Sequence, residues 1–386
     1  MQKDFHYYAT YCAAFLAGYT HEECMQICYS AQFVDCCSQT FLENIHAPKS
    51  AATTQLPLEL VNCRTDLLGL QNITRIWASF HFLPRDLKNP NVKGLPRYKN
   101  KYRLICGPNG DLIKKTVELA KGESLPAVGL AMHVLADTWA HQYFAGTPSL
   151  VINNTTTHFY ELLPDGTERK ITFRHSAGTP DDLSQSLYTA SLFQGNENSI
   201  MNLGHGRAGH LPDYSFIRYK YLPAWGHYQE IIKDNPADYL HAFTQMIYAM
   251  QYLRGSLDHF ETDRYADDCI TGLRDHIQSL LTKRQLDSSE DWRRLGEELS
   301  GKPIEDFSIT RYEEAYLNAP AEEKSSTFLG QFILAALAQK SMVTGQIFQS
   351  GNHLAGYAVD YKRKGFRGIR DFAKLIEHKL EKEDFK

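Results

Sequence analysis

No window of this chain reaches the roughly 18 consecutive apolar residues that a membrane span needs; the closest run, Phe328 to Ala338, is too short. There is no Gly-x-Ser-x-Gly elbow and no Walker loop, which sets aside hydrolases built on that serine turn and P-loop nucleotide enzymes. A phosphohydrolase of the HD type needs His directly followed by Asp on a helix, and only the reverse order occurs, at Asp258-His259 and Asp275-His276. A di-iron bundle needs two Glu-x-x-His motifs, and Glu43 to His46 is the single instance. Excess positive charge is also missing: 41 basic against 45 acidic residues leave a net charge of -4, so the chain has no field for duplex nucleic acid.

A secretory signal is not visible either. Met1 to Lys3 lead straight into an aromatic segment with no small-residue cleavage site, so the expectation is a cytoplasmic protein, with signal-independent export as the other route. In that compartment the eight cysteines, the adjacent pair Cys36-Cys37 included, are expected to stay reduced. Cys24-x-x-x-Cys28 has no second pair to complete a zinc ribbon, and its helical step reads as core packing.

Helical periodicity is what the chain does have. Phe5 to Gly18 and Glu22 to Gln39 read as helices, with Thr20 and Glu23 forming a capping box. Further helices are expected at Pro57 to Leu70, Asp111 to Lys121, Pro236 to Arg254, Tyr265 to Lys283, Glu290 to Leu299, Ile309 to Asn318 and Glu322 to Gln349. Between about 149 and 174, two β-branched runs flank Pro164-Asp165-Gly166 and read as an inserted β-hairpin. The expectation is a mainly α fold: a metal-binding helical domain over 1–286 with that small insertion, then a more charged helical C-terminal extension over 287–386. The one dense basic patch, Lys362, Arg363, Lys364, Arg367 and Arg370, suits an anionic membrane surface or another phosphate-bearing partner, although basic residues near a chain end are usually just solvated.

The most informative stretch is His133-Val134-Leu135-Ala136-Asp137-Thr138-Trp139-Ala140-His141. Four-residue steps place two imidazoles and a carboxylate within roughly 80° of one helix surface. Pro126 near the start, a run of helix formers, and Gly146-Thr147-Pro148 as a stop support the helix. Leu130, Val134, Leu135, Trp139 and Phe144 spread apolar contact over a broad face, so the polar set is buried and needs partners. A hydrogen-bonded network is one solution and a metal is the other. Other His and Asp residues lie in aromatic or small-residue segments: Asp4-Phe5-His6, Phe33-Val34-Asp35, Phe80-His81-Phe82, and the Gly-rich run Gly204 to Asp213 with His205 and His210.

Listed from the N-terminus, His6, Asp35, His81, His133, Asp137, His141, His205 with His210, and Asp213 follow an order that resembles the zinc-dependent phospholipase C superfamily, which also contains the single-strand-specific zinc nucleases. The resemblance spans roughly residues 4 to 215 and rests on motif order. It implies a multi-helix bundle holding two or three zinc ions: Asp35, His81, His133 and Asp137 at one, His141, His205 and Asp213 at a second, and His6 with a bridging Asp137 at a third. It also implies hydrolysis of a phosphoester, with hydroxide from a metal-acidified water attacking phosphorus and Asp35 orienting that water and taking its proton. The substrate classes it admits are a lipid headgroup, a nucleotide and a small phosphodiester.

The chain departs from the family at three points. The family's third zinc takes the amino group of a processed N-terminal Trp, where this chain has Met1, which leaves two alternatives: Asp4 supplies the missing ligand, or the third metal is absent. Asp137 and His141 are one helical turn apart rather than separated by a longer step. The closing segment is a loop in which His205 is preferred to His210, with His158 and Glu161 on the hairpin as spare ligands. The competing class is a non-catalytic helical protein in which the His/Asp cluster is a structural metal site or a polar network. Oligomeric state is not legible.

Overall fold

The structure is a computed structural model and describes residues 1–62, 67–88, 99–175, 178–191, 199–226 and 229–352. The basic patch at 362–370 lies outside the described residues.

The chain opens with a π-helical turn, Asp4–Ala9, that runs into α1 (Thr10–Leu16). Helix α2 (His21–Phe33) starts at the expected capping box, in which Thr20 accepts from the Glu23 amide and the Glu23 carboxylate accepts from the Thr20 amide. Short helices α3 (Gln39–Asn44) and α4 (Pro57–Asn62) follow, then α5 (Leu67–Phe80), α6 (Lys99–Tyr102), α7 (Asp111–Leu119) and α8 (Leu125–Ala140). The single-turn α9 (Leu150–Asn153) leads into the strands. Beyond them come α10 (Asn235–Arg254), α11 (Arg274–Thr282), α12 (Ser289–Ser300), α13 (Glu313–Asn318) and α14 (Phe328–Gln349). No helix among the described residues is long and apolar enough to cross a membrane.

Helix α8 is the axis of the fold. Every residue from Pro126 to Ala140 is buried, and the helix packs against α2, α10, α14, α7 and α5, as expected of a helix that is apolar nearly all round. The close approach of α2 depends on Gly129, where a Cβ would stand 2.2 Å from the Ile27 carbonyl oxygen and 2.6 Å from the Ser30 Cβ. That proximity brings the Ala31 carbonyl within reach of His133.

The expected hairpin is present as β1 (Thr155–Leu162) paired antiparallel with β2 (Glu168–Lys170) around the Pro-Asp-Gly turn. It is part of something larger. Strands β5 (Arg218–Pro223) and β6 (Ile231–Asp234) extend it into a four-stranded antiparallel sheet of order β2-β1-β5-β6, and β3 (Thr172–Arg174) pairs in parallel with β4 (Leu187–Thr189). An isolated hairpin is marginal in water, whereas this sheet buries Phe159, Tyr219 and Tyr221 in a second core with Phe82 and Phe144. The sheet lobe therefore packs directly beside the residues that follow His81 and His141.

Of the expected extension over 287–386, residues 287–352 are described, and their helices pack on the body of the fold. Trp292 and Leu295 of α12 and Phe332, Ile333 and Ala336 of α14 belong to the same hydrophobic cluster as α1, α2 and α8. The rise in charge after Asp287 marks the exposed faces of these helices.

Candidate metal centre

Eight side chains and one backbone amine converge at the C-terminal half of α8. Three groups of ligand atoms lie close enough to hold a metal ion: His6 with His133 and Asp137, Asp35 with His81 and His133, and His141 with His205 and Asp213.

The imidazoles are set by backbone carbonyls. A carbonyl oxygen only accepts, so a ring nitrogen within hydrogen-bond distance of one must carry the proton. His133 Nδ1 donates to the Ala31 carbonyl at 2.8 Å, His141 Nδ1 to that of His81 at 2.8 Å, His205 Nδ1 to that of Gly209 at 2.7 Å, and His81 Nε2 to that of Thr53 at 3.0 Å. In each neutral ring the second nitrogen then turns a lone pair into the cluster, the arrangement that orients histidine ligands in metal sites. Gly209 serves this purpose at φ +57, in a place where a Cβ would stand 2.0 Å from the Thr189 carbonyl oxygen.

The inward atoms meet at short range. His133 Nε2 and His81 Nδ1 are 3.3 Å apart, and Asp137 Oδ2 lies 3.1 Å from the first and 3.2 Å from the second. Asp35 Oδ1 stands 3.9 and 3.8 Å from the same two nitrogens, and its other oxygen accepts from Gln32. Two imidazole lone pairs at 3.3 Å repel unless a cation lies between them. Ligands on a tetrahedral zinc at about 2.0–2.1 Å are about 3.3 Å from one another, so the spacings among His81, His133 and Asp137 fit such an ion, while Asp35 stands farther out. In the second group, Asp213 Oδ1 lies 3.1 Å from His141 Nε2 and 3.6 Å from His205 Nε2.

Asp137 joins the groups. Its Oδ1 accepts from the Met1 ammonium at 2.8 Å and lies 3.1 Å from His6 Nε2, while Oδ2 faces His81 and His133. The Met1 nitrogen also lies 3.1 Å from His141 Nε2 and 3.3 Å from Asp213 Oδ1. Burial works against charge on that amine, but Asp137, Asp213 and Asp35 override it and raise its pKa to about 11. Burial likewise opposes the charged carboxylates. The Asp137 and Asp213 carboxyls are nonetheless held well below their usual range, with the Met1 ammonium beside both. His6 and His205 are pushed down to about 4, first by burial, so both are neutral at pH 7, the form that ligates.

The His6 ring stacks on that of His133 with centroids 3.8 Å apart, and its Nδ1 has no hydrogen-bond partner although fully buried. The turn that carries it is the π-helix at Asp4–Ala9, an element frequently found at functional sites. Tyr143, two residues past His141, adopts φ +81, which is rare and costs of order 1–3 kcal/mol for a bulky residue. The turn is held by the Tyr143 amide on the Cys106 carbonyl and by Trp225 Nε1 on the Tyr143 carbonyl, both at 3.0 Å.

Asp4, expected as the ligand of a third metal, is turned away. Residues i and i+2 of a helical turn point to opposite sides, so with His6 facing Asp137 the Asp4 carboxylate faces outward from the cluster. It accepts from Ser288 Oγ at 2.6 Å and ties the N-terminal turn to the segment ahead of α12. The position expected for Asp4 is taken by the Met1 amine, which no side-chain pattern signals. Of the two loop histidines, His205 enters a ligand group, whereas His210, 58% exposed, sits on the other oxygen of Asp213 at 3.1 Å. The spare pair is elsewhere: His158 meets Glu230 at the surface at 2.7 Å, and Glu161 accepts from Ser186 and Tyr188 and pairs with Arg284 in the sheet lobe. A cavity of about 580 Å³ between α7, the start of α8 and α14 is lined by none of the candidate ligands.

Comparison with curated proteins and with solved structures finds no match. A family model does match, over residues 1–347, a span that holds every candidate ligand and all but the end of α14. The chain therefore belongs to the family of unknown function DUF6765.

Proposed function

We propose that this protein is a metal-dependent hydrolase of phosphoester bonds that works with two or three zinc ions. The observation that carries the reading is the set of four imidazoles whose outer nitrogens are fixed by backbone carbonyls while their inner nitrogens converge on Asp35, Asp137 and Asp213. A polar network without metal needs donors between those lone pairs, and the Met1 ammonium is one donor among many acceptors.

Asp35, His81, His133 and Asp137 would hold one ion and His141, His205 and Asp213 a second. His6 and the Met1 amine face Asp137 where a third would share that carboxylate. Zinc bound there supplies a Lewis acid that neutralises phosphoester oxygens and acidifies a water. The chain's own residues do the rest. Asp137, 1% exposed, fixes the spacing of the groups because its two oxygens face different partners. Asp35 is the most exposed of these ligands: its side chain is 31% exposed against 17% for His205, with one oxygen in the cluster and the other steadied by Gln32. It is placed to orient an incoming water and accept its proton.

The second group offers three protein ligands, His141, His205 and Asp213, which would leave a fourth position for water; this favours catalysis over a purely structural site, which closes its metal with protein ligands alone. The substrate classes that suit the site are a lipid headgroup, a nucleotide and a small phosphodiester. The test is a screen of phosphomonoester and phosphodiester substrates with zinc-loaded and chelated protein. Turnover that appears with zinc, vanishes with chelator and falls in Asp35→Asn supports the reading, and metal-loaded protein inert toward every class counts against it.

A further inference from the structure

Two candidate ligands enter the second group from positions that regular structure does not hold. His141 caps the end of α8, where a helix leaves its last carbonyls without partners, and Asp213 closes a 3-10 turn, Leu211–Asp213. Both segments are gripped by one stretch of chain at the junction of β6 and α10.

Lys233 is 1% exposed and reaches from β6 to donate its Nζ to the Trp139 carbonyl, in the last turn of α8, at 2.9 Å. It pairs with Asp238 in the first turn of α10, and Asp238 also accepts from Gln142 Nε2 at 2.8 Å. Residues on both sides of His141 are thus tied to α10. Two positions along from Lys233, the fully buried Asn235 donates its amide to the carbonyls of Leu211 at 2.8 Å and Tyr214 at 2.7 Å, with Pro212 at 3.4 Å, while the Tyr239 hydroxyl donates to Pro212 at 3.2 Å. Residues on both sides of Asp213 are tied to the same turn.

A buried ammonium is costly to desolvate, and a methionine would fill the same space without that cost. What a cation adds is direction: one donor on a carbonyl of a helix end that favours positive charge and another on Asp238. We propose that Lys233 and Asn235 are positioning residues that set His141 opposite Asp213 and so fix the second metal group without touching a metal. The proposal rests on the metal reading above and assigns the β6–α10 junction a role beyond packing.

The test uses the full chain carrying Lys233→Met with Asp238→Leu, which removes both partners together so that no buried charge is left alone. Zinc affinity is read by competition with a chromophoric chelator, and cobalt(II) in place of zinc reports ligand geometry by its visible bands. The expected result is one metal equivalent bound about 10–100-fold more weakly, with an altered cobalt band, while the remaining metal is bound as in the parent and the chelated protein melts near the parent. Added to Asp213→Ala, which removes the same group directly, the pair of changes should cause no further loss. Should the double variant fail to fold, Asn235→Ala puts the same question to the other arm of the junction and is read by the same criteria. Parent affinity for every equivalent in either folded variant overturns the proposal and leaves the metal reading intact. A parent protein that binds no zinc overturns both.

Discussion

Replacing Asp137 by Asn keeps the size of the side chain, removes its charge and strikes where the groups meet. The magnitude follows from the Met1 amine. Its pKa is raised from 8.0 to about 11, so its charged form contributes stability that is fully present below pH 8 and is lost as pH climbs from 8 through 11. Asp137 acts in the opposite direction: its depressed carboxyl contributes above the ordinary carboxylate range and loses that contribution as pH falls through its folded pKa. At pH 7 both contributions are complete. Three pKa units at about 1.4 kcal/mol each make about 4 kcal/mol, the net that the attraction of Asp137, Asp213 and Asp35 leaves after the opposing cost of burial. Asp137 at 2.8 Å is the nearest, and its loss should cost about 2 kcal/mol in metal-free protein. With about 2.1 cal/mol/K of unfolding entropy per residue, 386 residues give about 0.8 kcal/mol/K, so Tm should fall by about 2–3 °C. Each zinc site filled at about a thousand times its Kd adds about 4 kcal/mol to the parent, a rise of about 5 °C, and the variant should gain less than the parent by at least one such step. Differential scanning fluorimetry at pH 7 with chelator and then with zinc reads both numbers. A variant that melts within about 1 °C of the parent in chelator and gains as much from zinc refutes the assignment of Asp137 as the shared carboxylate. The gap between parent and variant should also narrow from pH 8 toward 11.

Asp35→Asn should keep its zinc and lose about 10²–10⁴ in phosphoester turnover, because the amide still offers an oxygen but cannot take a proton; turnover near the parent rate would show that Asp35 is not the base. Gly129→Ala places a methyl against the Ile27 carbonyl, so α2 must retreat from α8 and carry the Ala31 carbonyl away from His133. It should cost about 1–3 kcal/mol in denaturant unfolding and weaken zinc binding as well, and a fully stable variant with parent affinity would contradict the packing argument.

The parts of the fold that were legible in the sequence are those with a strong local period. The four-residue steps on α8 required only helix geometry to bring His133, Asp137 and His141 to one face, and the capping box at Thr20 fixed the start of α2. The sheet is legible only at its turn: Pro-Asp-Gly marks β1 and β2, while no turn signal marks β5, although Arg218, Tyr219, Lys220 and Tyr221 alternate with period two. A strand of six residues bearing lysine and arginine is a weak signal until its partners are known. The convergence of His81 and Asp35 on the α8 face is a tertiary fact, because it depends on carbonyls at Thr53 and Ala31 that no side-chain pattern encodes. The Met1 amine is invisible to motif reading for the same reason, and proximity to His6 in sequence pointed to Asp4 in its place.

The most direct test of the central claim is the metal content of the purified full chain after expression with added zinc, measured by elemental analysis alongside protein concentration. On the proposed reading we expect at least two metal ions per chain, with Asp137→Asn retaining fewer than the parent. Less than one ion per chain would contradict the metal centre and return the cluster to a polar network.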